Sequence, residues 1–192
     1  MTDTSDWTLV AQARDGDEAA FGLLVRRYQE PLVHFCRRMV GSREDAEDIA
    51  QVAFLQIHRA LPRLKPKAQF STLLFGIARN LTLNHIRDGK RRGRNMAQSL
   101  TRDDETIRTV EDSTGRPDRK ARLREIQETV DVSLRRLPPK FREVLVLREI
   151  QGMDYDTIAK VVKCRKGTVK SRIARAREQL RLTLLELGGD LL

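Results

Sequence analysis

Between Asp154 and Leu180 the chain reads DYDTIAKVVKCRKGTVKSRIARAREQL, and this stretch limits the possible folds more than any other. Tyr155, Ile158, Ala159 and Val162 recur at helical spacing, so its first part is a short helix with one apolar face. Asp154 precedes that helix as an N-cap whose carboxylate can accept from orphan backbone N–H groups. Val169, Ile173, Ala176 and Leu180 draw a second apolar stripe, while Lys166, Lys170, Arg172, Arg175 and Arg177 point elsewhere. Nine Lys and Arg fall between Lys160 and Arg181, against the single acid Glu178. A short helix, a tight turn and a basic amphipathic helix make a helix-turn-helix, whose second helix enters the DNA major groove. The competing reading is a solvated basic helix packed on a core, since basic faces are common.

The net charge of +10 points to a polyanionic partner, either nucleic acid or an anionic membrane surface. Residues 80–102 sum to +5 and 160–181 to +8, whereas 1–20 and 103–118 each sum to −4. Two basic blocks predict two separate contacts with the polyanion. The two cysteines, Cys36 and Cys164, stand in no paired spacing. That argues against a disulfide framework or a Cys-rich zinc site and makes a reducing cytoplasm the default. The longest uncharged run, Ala68 to Ala78, has 11 residues, too few to span a bilayer. The acidic N-terminus carries no apolar signal region, so a soluble cytoplasmic protein without membrane insertion is expected.

No run alternates as a strand does, and the periodic segments are helical. Trp7 to Arg14 reads as a short helix capped by Asp6. From Asp17 to Val40, Ala20, Leu23, Leu24, Leu32, Phe35 and Cys36 form one face, with Pro31 expected to kink or divide the helix. Gly41 ends it, and Ser42 with Asp45 resembles a capping box for a helix over 43–61. That helix sets Ala46, Ile49, Ala50, Ala53 and Ile57 inward, with Glu44, Glu47, Asp48 and Gln51 outside. A basic, proline-bearing loop over 62–69 leads to a fourth helix, from Ser71 or Thr72 to near Asp88. Residues 93–118 lose periodicity, are acidic in the middle and contain Gly115 and Pro117, as a flexible linker does. Residues 119–137 are helical again, and Pro139 suits the first turn of a helix over 140–150. The expected fold is all-α: two small helical domains, 1–92 and 119–192, joined by the linker 93–118, the second domain a helix-turn-helix.

In this order the motifs resemble those of a two-domain sigma factor of the sigma-70 superfamily, in its extracytoplasmic-function (ECF) group. EDAEDIAQVAFLQIHRAL at 44–61 is similar to the helix that such proteins place on the clamp of RNA polymerase. FSTLLFGIARNLTLNHIRDGKRR at 70–92 is similar to the helix that opens and reads the promoter −10 element. LPPKFREVLVLRE at 137–149, with the pair ending GTVKSRIARAREQL, resembles the domain that reads the −35 element. The resemblance implies a sigma factor that directs core RNA polymerase to promoters, binding duplex DNA at −35 and unpaired DNA at −10. It also implies an inhibitory anti-sigma partner, and a linker that passes near the polymerase active centre.

Roles for residues follow from the resemblance. Glu44, Asp48, Gln51 and Phe54 would face polymerase, acids steering and the ring anchoring, although Phe54 could equally belong to the core. Arg79, Asn80, Asn84 and Arg87 would contact the −10 strand, with Arg63, Lys65 and Lys67 near phosphate on the loop walling a flipped-base pocket. Lys166, Thr168, Lys170, Ser171, Arg172 and Arg175 would meet −35 DNA; Arg172 or Arg175 could read a guanine bidentately. The chain departs from the family in three places. Leu73 or Leu74 replaces a common Trp, Asn84 replaces a common Asp, and Lys163 stands where the turn usually bears Gly. A left-handed Lys is costly, so a differently built turn is expected.

His34, His58 and His85 are isolated and read as structural. With no phosphate loop, nucleophile elbow or catalytic carboxylate pair in the sequence, neither enzymatic activity nor a cofactor or metal is expected. The alternative is a free-standing helix-turn-helix regulator with an N-terminal sensor or dimerisation domain. The acidic face of Asp48, Gln51 and Phe54 and the basic, amide-bearing helix over 79–92 argue against it, because a sensor needs neither.

Overall fold

The computed structural model describes residues 4–97 and 117–187; most of the linker expected over 93–118 lies outside them. Eight α-helices and no strand occur among the described residues, and no described helix is long and apolar enough to cross a membrane.

Helix α1 (Asp6–Arg14) is capped by Ser5, whose Oγ accepts from the Thr8 N–H at 3.2 Å, and not by Asp6. Asp6 instead accepts from the Arg27 guanidinium and the Tyr28 hydroxyl. Helix α2 (Glu18–Val40) runs through Pro31 undivided. Proline removes one helical donor, but Leu24, Leu32, Phe35 and Met39 are buried on both sides of it and hold the two parts in place. Gly41, at φ 94°, ends α2 in the left-handed conformation that glycine adopts cheaply. Ser42 Oγ accepts from the Asp45 N–H at 3.2 Å and opens α3 (Arg43–Ala60), whose inward side buries Ala46, Ile49, Ala50, Ala53 and Ile57.

A short 3-10 turn (Leu61–Arg63) and a loop lead to α4 (Phe70–Ala97), which continues well past the expected stop near Asp88. Lys and Arg are good helix formers, and Gly89 is not enough to end the run. Beyond the undescribed segment, α5 (Pro117–Arg136) precedes α6 (Pro139–Leu145), with Pro139 in the first turn. The helix expected over 140–150 widens into a π turn at Val146–Ile150, where the Gln151 N–H bonds the Val146 carbonyl at 3.1 Å. Asp154 Oδ1 accepts from the N–H groups of Asp156 and Thr157, both at 2.8 Å, and caps α7 (Tyr155–Val162). The turn into α8 (Lys166–Leu187) is built on a left-handed Lys163, φ 53° and ψ 49°, so the side chain is accommodated and the turn geometry is kept.

Phe35 and Phe75 meet edge to face at 5.6 Å in the core of the first half, α1–α4. The same apolar cluster continues into the second half, α5–α8, through Val144, Leu147, Ile158 and Val161. The sequence pattern leads one to expect two units; in the structure their apolar faces are joined. Leu134, Leu137, Phe141, Leu145 and Ala176 form a smaller cluster within the second half.

Candidate functional site

Burial of one side of α3 leaves Glu44, Asp48, Gln51 and Leu55 exposed at four- and three-residue steps on the other. Leu55 is 48% exposed and Val52 beside it 41%, so an apolar strip lies among the acids. Phe54 is a correction: at 8% exposure it belongs to the core, because its position follows the inward stripe of Ala50, Ala53 and Ile57. Leu55, one residue on, supplies the exposed apolar surface that the resemblance offered to Phe54.

Arg63, Lys65 and Lys67 are all exposed on the turn and loop before α4. The loop is pinned to α1 by the Trp7 indole, which donates to the Ala68 carbonyl at 3.0 Å. Between them lies a hollow of about 550 Å³ bordered by Asp6, Trp7, Tyr28, Lys67, Gln69 and Ser71. Burial, then the Asp6 hydrogen bond, pushes the Tyr28 phenol above its usual range and keeps it a neutral donor. The sequence reading missed the contribution of α1; the lone Trp, near the acidic end of the chain, was the available signal. Along α4, Asn80, Asn84 and Arg87 are exposed on neighbouring turns, while Leu74 is fully buried and Leu73 partly so.

Arg79 does not share that solvent-facing position. Its guanidinium turns to Glu143 of α6, with donor–acceptor distances of 2.8 and 3.3 Å. Arg172 of α8 approaches the same carboxylate at 3.5 Å. Glu143 is 1% exposed, and burial raises its carboxyl above the ordinary range against the pull of Arg79 and Arg172. Two arginines assigned to DNA by pattern therefore converge on one buried acid. A charged pair, Arg142-Glu143, inside an otherwise apolar run was the sequence signal for it.

In α8, Arg175, Lys170 and Ser171 are exposed and Thr168 is half-buried. Ser171 Oγ donates to the Thr168 carbonyl at 3.0 Å. Lys166 pairs with Asp156 at 2.7 Å, and the Lys170 ammonium lies 5.9 Å from the Tyr155 ring centre. A Cβ on Gly167 would meet nothing within 4 Å, so the start of α8 is open to a close neighbour. Elsewhere in the second half, Val130, Leu134, Leu145, Ile150, Leu180 and Leu185 line a groove of about 360 Å³, with Glu149, Arg177 and Arg181 also bordering it.

Family models match two parts of the chain: Sigma-70 region 2 over residues 24–92 and Sigma-70, region 4 over residues 127–180. The chain is 36% identical over 188 residues to the RNA polymerase sigma-H factor of Pseudomonas aeruginosa, covering 94% of each. It is 34% identical over 180 residues to the ECF RNA polymerase sigma factor SigW of Bacillus subtilis, covering 93% of this chain and 96% of the relative. Among solved structures, CnrH in complex with the cytosolic domain of CnrY superposes with a TM-score of 0.68 at 28% identity, covering 94% of this chain and 97% of that one. The Bartonella quintana sigma factor RpoE, solved with the anti-sigma factor NepR, shares the fold with a TM-score of 0.64 at 22% identity, covering 85% and 96%. Region 2 thus coincides with most of α2–α4 and region 4 with most of α5–α8, and the chain belongs to the ECF group of sigma-70 family RNA polymerase sigma factors.

Proposed function

We propose that this chain directs core RNA polymerase to promoters by docking through α3, reading −10 DNA with α4 and its preceding loop, and reading −35 DNA with α8. One observation carries the proposal: an exposed acidic-apolar stripe on α3 and two exposed cationic groups, before and along α4 and on α8, occur on separate elements of one chain. A duplex-binding regulator needs the cationic face of α8 alone. Glu44, Asp48 and Gln51 steer toward a basic polymerase surface, and Leu55 with Val52 anchors there. Arg63, Lys65, Lys67 and Arg87 hold phosphates, and Asn80 and Asn84 meet base edges. The hollow under the 64–69 loop receives an unpaired base, whose extrusion costs a few kcal/mol that pocket contacts offset.

At −35, the first turns of α8 enter the major groove, with Lys166 and Lys170 on phosphate and Arg175 reading a base beside Thr168 and Ser171. Arg172, held by Glu143, positions the helix instead. The apolar groove between α5, the π turn and α8 accepts an apolar helix face of polymerase, a second docking point. The domain limits follow these jobs: 1–92 for polymerase and −10 contacts, 93–118 as connector, 119–192 for −35. Family members are in general non-catalytic initiation factors, and the proposed work is binding alone, in the cytoplasm where polymerase acts. An inhibitory anti-sigma protein is a further proposed partner, by likeness to relatives solved with such factors.

Competition for core polymerase tests the docking surface. Leu55→Asp and Asp48→Arg should each weaken core binding at least tenfold, about 1.4 kcal/mol, and leave the folded helical signal intact. Undiminished binding by both variants would remove α3 from the interface.

A further inference from the structure

Helix α1 lies ahead of the residues that Sigma-70 region 2 matches, 24–92, yet it borders the hollow beside the 64–69 loop. Its start is held on α2: Asp6 accepts from the Arg27 guanidinium and the Tyr28 hydroxyl, and the Thr4 carbonyl accepts from Arg27 at 3.0 Å. Buried Leu9 and Val10 seat its apolar side in the core. From that fixed support the indole N–H of Trp7, the one tryptophan in the chain, donates to the Ala68 carbonyl at 3.0 Å. The loop it grips needs holding. Arg63, Lys65 and Lys67 are exposed and follow at two-residue steps, with no acid between Pro62 and Phe70, so like charges press the loop open. Its backbone turns tightly where the Lys67 N–H bonds the Lys65 carbonyl at 2.8 Å, one residue before Ala68.

Width decides what such a hollow can hold. Asp6, Trp7 and Tyr28 border it from α1 and α2, and Lys67, Gln69 and Ser71 from the loop and the start of α4. A wall that drifts outward leaves an inserted ring without close contacts on that side, because dispersion attraction falls steeply across a small gap. We propose that Trp7 is a positioning residue for −10 recognition: its N–H, donated to Ala68, sets the loop at the spacing from α1 and α2 that lets an unpaired base touch both walls. Trp7 acts through the loop and the cations that the loop carries, and reads no base itself. The base-positioning role rests on the sigma function proposed above; the pin between α1 and the loop rests on the geometry of this chain alone.

Because Trp7 is the single tryptophan, making the full chain with benzothienylalanine in place of tryptophan exchanges the indole N–H for sulfur at that one position and keeps the bicyclic shape. Trp7→Phe removes the same donor by ordinary mutagenesis. Trypsin reads the loop directly. It does not cut before proline, so Lys67–Ala68, and not Lys65–Pro66, is the susceptible bond within 64–69. Cleavage there follows the open population of the loop. Both altered forms should be cut about two- to tenfold faster at Lys67–Ala68, as the loss of one hydrogen bond allows, with wild-type rates at sites in the second half. With core polymerase and templates whose −10 segment is varied base by base, both should lose about two- to tenfold of the wild type's discrimination at −10 and none at −35. A wild-type cleavage rate at Lys67–Ala68, or faster cleavage at every site, would overturn the pin. A loosened loop with −10 discrimination intact would overturn the positioning role, as would an equal loss at both elements. If the wild type directs no start sites at all, the sigma function fails and takes the positioning role with it, while the cleavage rates still decide the pin.

Discussion

Replacing Lys163 by glycine should stabilise this protein, although the side chain it removes is exposed. Lys163 sits at φ 53° and ψ 49° between α7 and α8, and its backbone N–H bonds the Ala159 carbonyl. A left-handed conformation costs an L-residue about 1–2 kcal/mol, through crowding of Cβ against the backbone. Glycine escapes that cost but forfeits about 0.5–1 kcal/mol through the greater freedom of its unfolded chain. Near the middle of these two ranges the net gain for Lys163→Gly is about 0.5–1 kcal/mol. If the joined halves unfold together, this raises the melting temperature by about 1–4 °C; a second half that melts alone would shift by about 2–8 °C. Calorimetry of the wild type, Lys163→Gly and Lys163→Ala isolates the backbone effect, because alanine removes the charge and keeps the strain. The reasoning fails if Lys163→Gly melts no higher than Lys163→Ala. Both variants lose one cation beside the DNA-reading helix, so each should show a slightly shallower salt dependence of DNA binding.

Thiol reactivity should separate the two cysteines. Cys36 is fully buried and its thiol is pushed up to about 12 by burial, so a maleimide should modify Cys164 first and Cys36 only on unfolding; equal rates in the native protein would contradict the core assignment. Asp154 is held below the usual carboxylate range, chiefly by the Thr157 N–H, so its ionised form stabilises the fold above about pH 4, and that contribution is lost as pH falls through the lowered native value. The stability advantage of the wild type over Asp154→Asn should shrink between about pH 5 and pH 2, and a pH-independent difference would count against the cap. Phe35→Ala removes a fully buried ring from the Phe75 contact and should cost about 3–5 kcal/mol by denaturant unfolding; a loss under about 1 kcal/mol would mean the core is not packed as described.

Local periodicity carried most of the secondary structure. The stripes of α3, α7 and α8, the Asp154 and Ser42 caps and the place of Pro139 were all legible, because each depends on residues within one or two turns. Features set by distant partners were not. Pro31 was expected to kink or divide α2, and the helix is not divided, because packing on both sides outweighs one missing hydrogen bond. Phe54, which sequence left open between core and interface, is buried, while Leu55, about 100° further round the helix, is exposed; which side faces inward is set by packing against α2 and α4. Arg79 and Glu143 are 64 positions apart, and nothing local marks them as partners. The motif match ascribed Arg79 and Arg172 to DNA on residue type and position, and the structure supplies the buried carboxylate that both approach. Lys163 shows the reverse: its chemistry predicted a different turn, but the capping geometry prevailed over the cost of one strained residue.

Transcription from sheared genomic DNA of the host organism, using its purified core polymerase with and without this chain, tests the central claim most directly when RNA 5′ ends are sequenced. The account predicts a discrete set of new start sites that share sequence near −10 and −35 and depend on the added chain. Asn80→Ala should weaken selection at −10, and Arg175→Ala should weaken selection at −35. Unchanged start sites, together with sequence-specific duplex binding by the chain alone, would contradict promoter direction and identify a free-standing DNA-binding regulator.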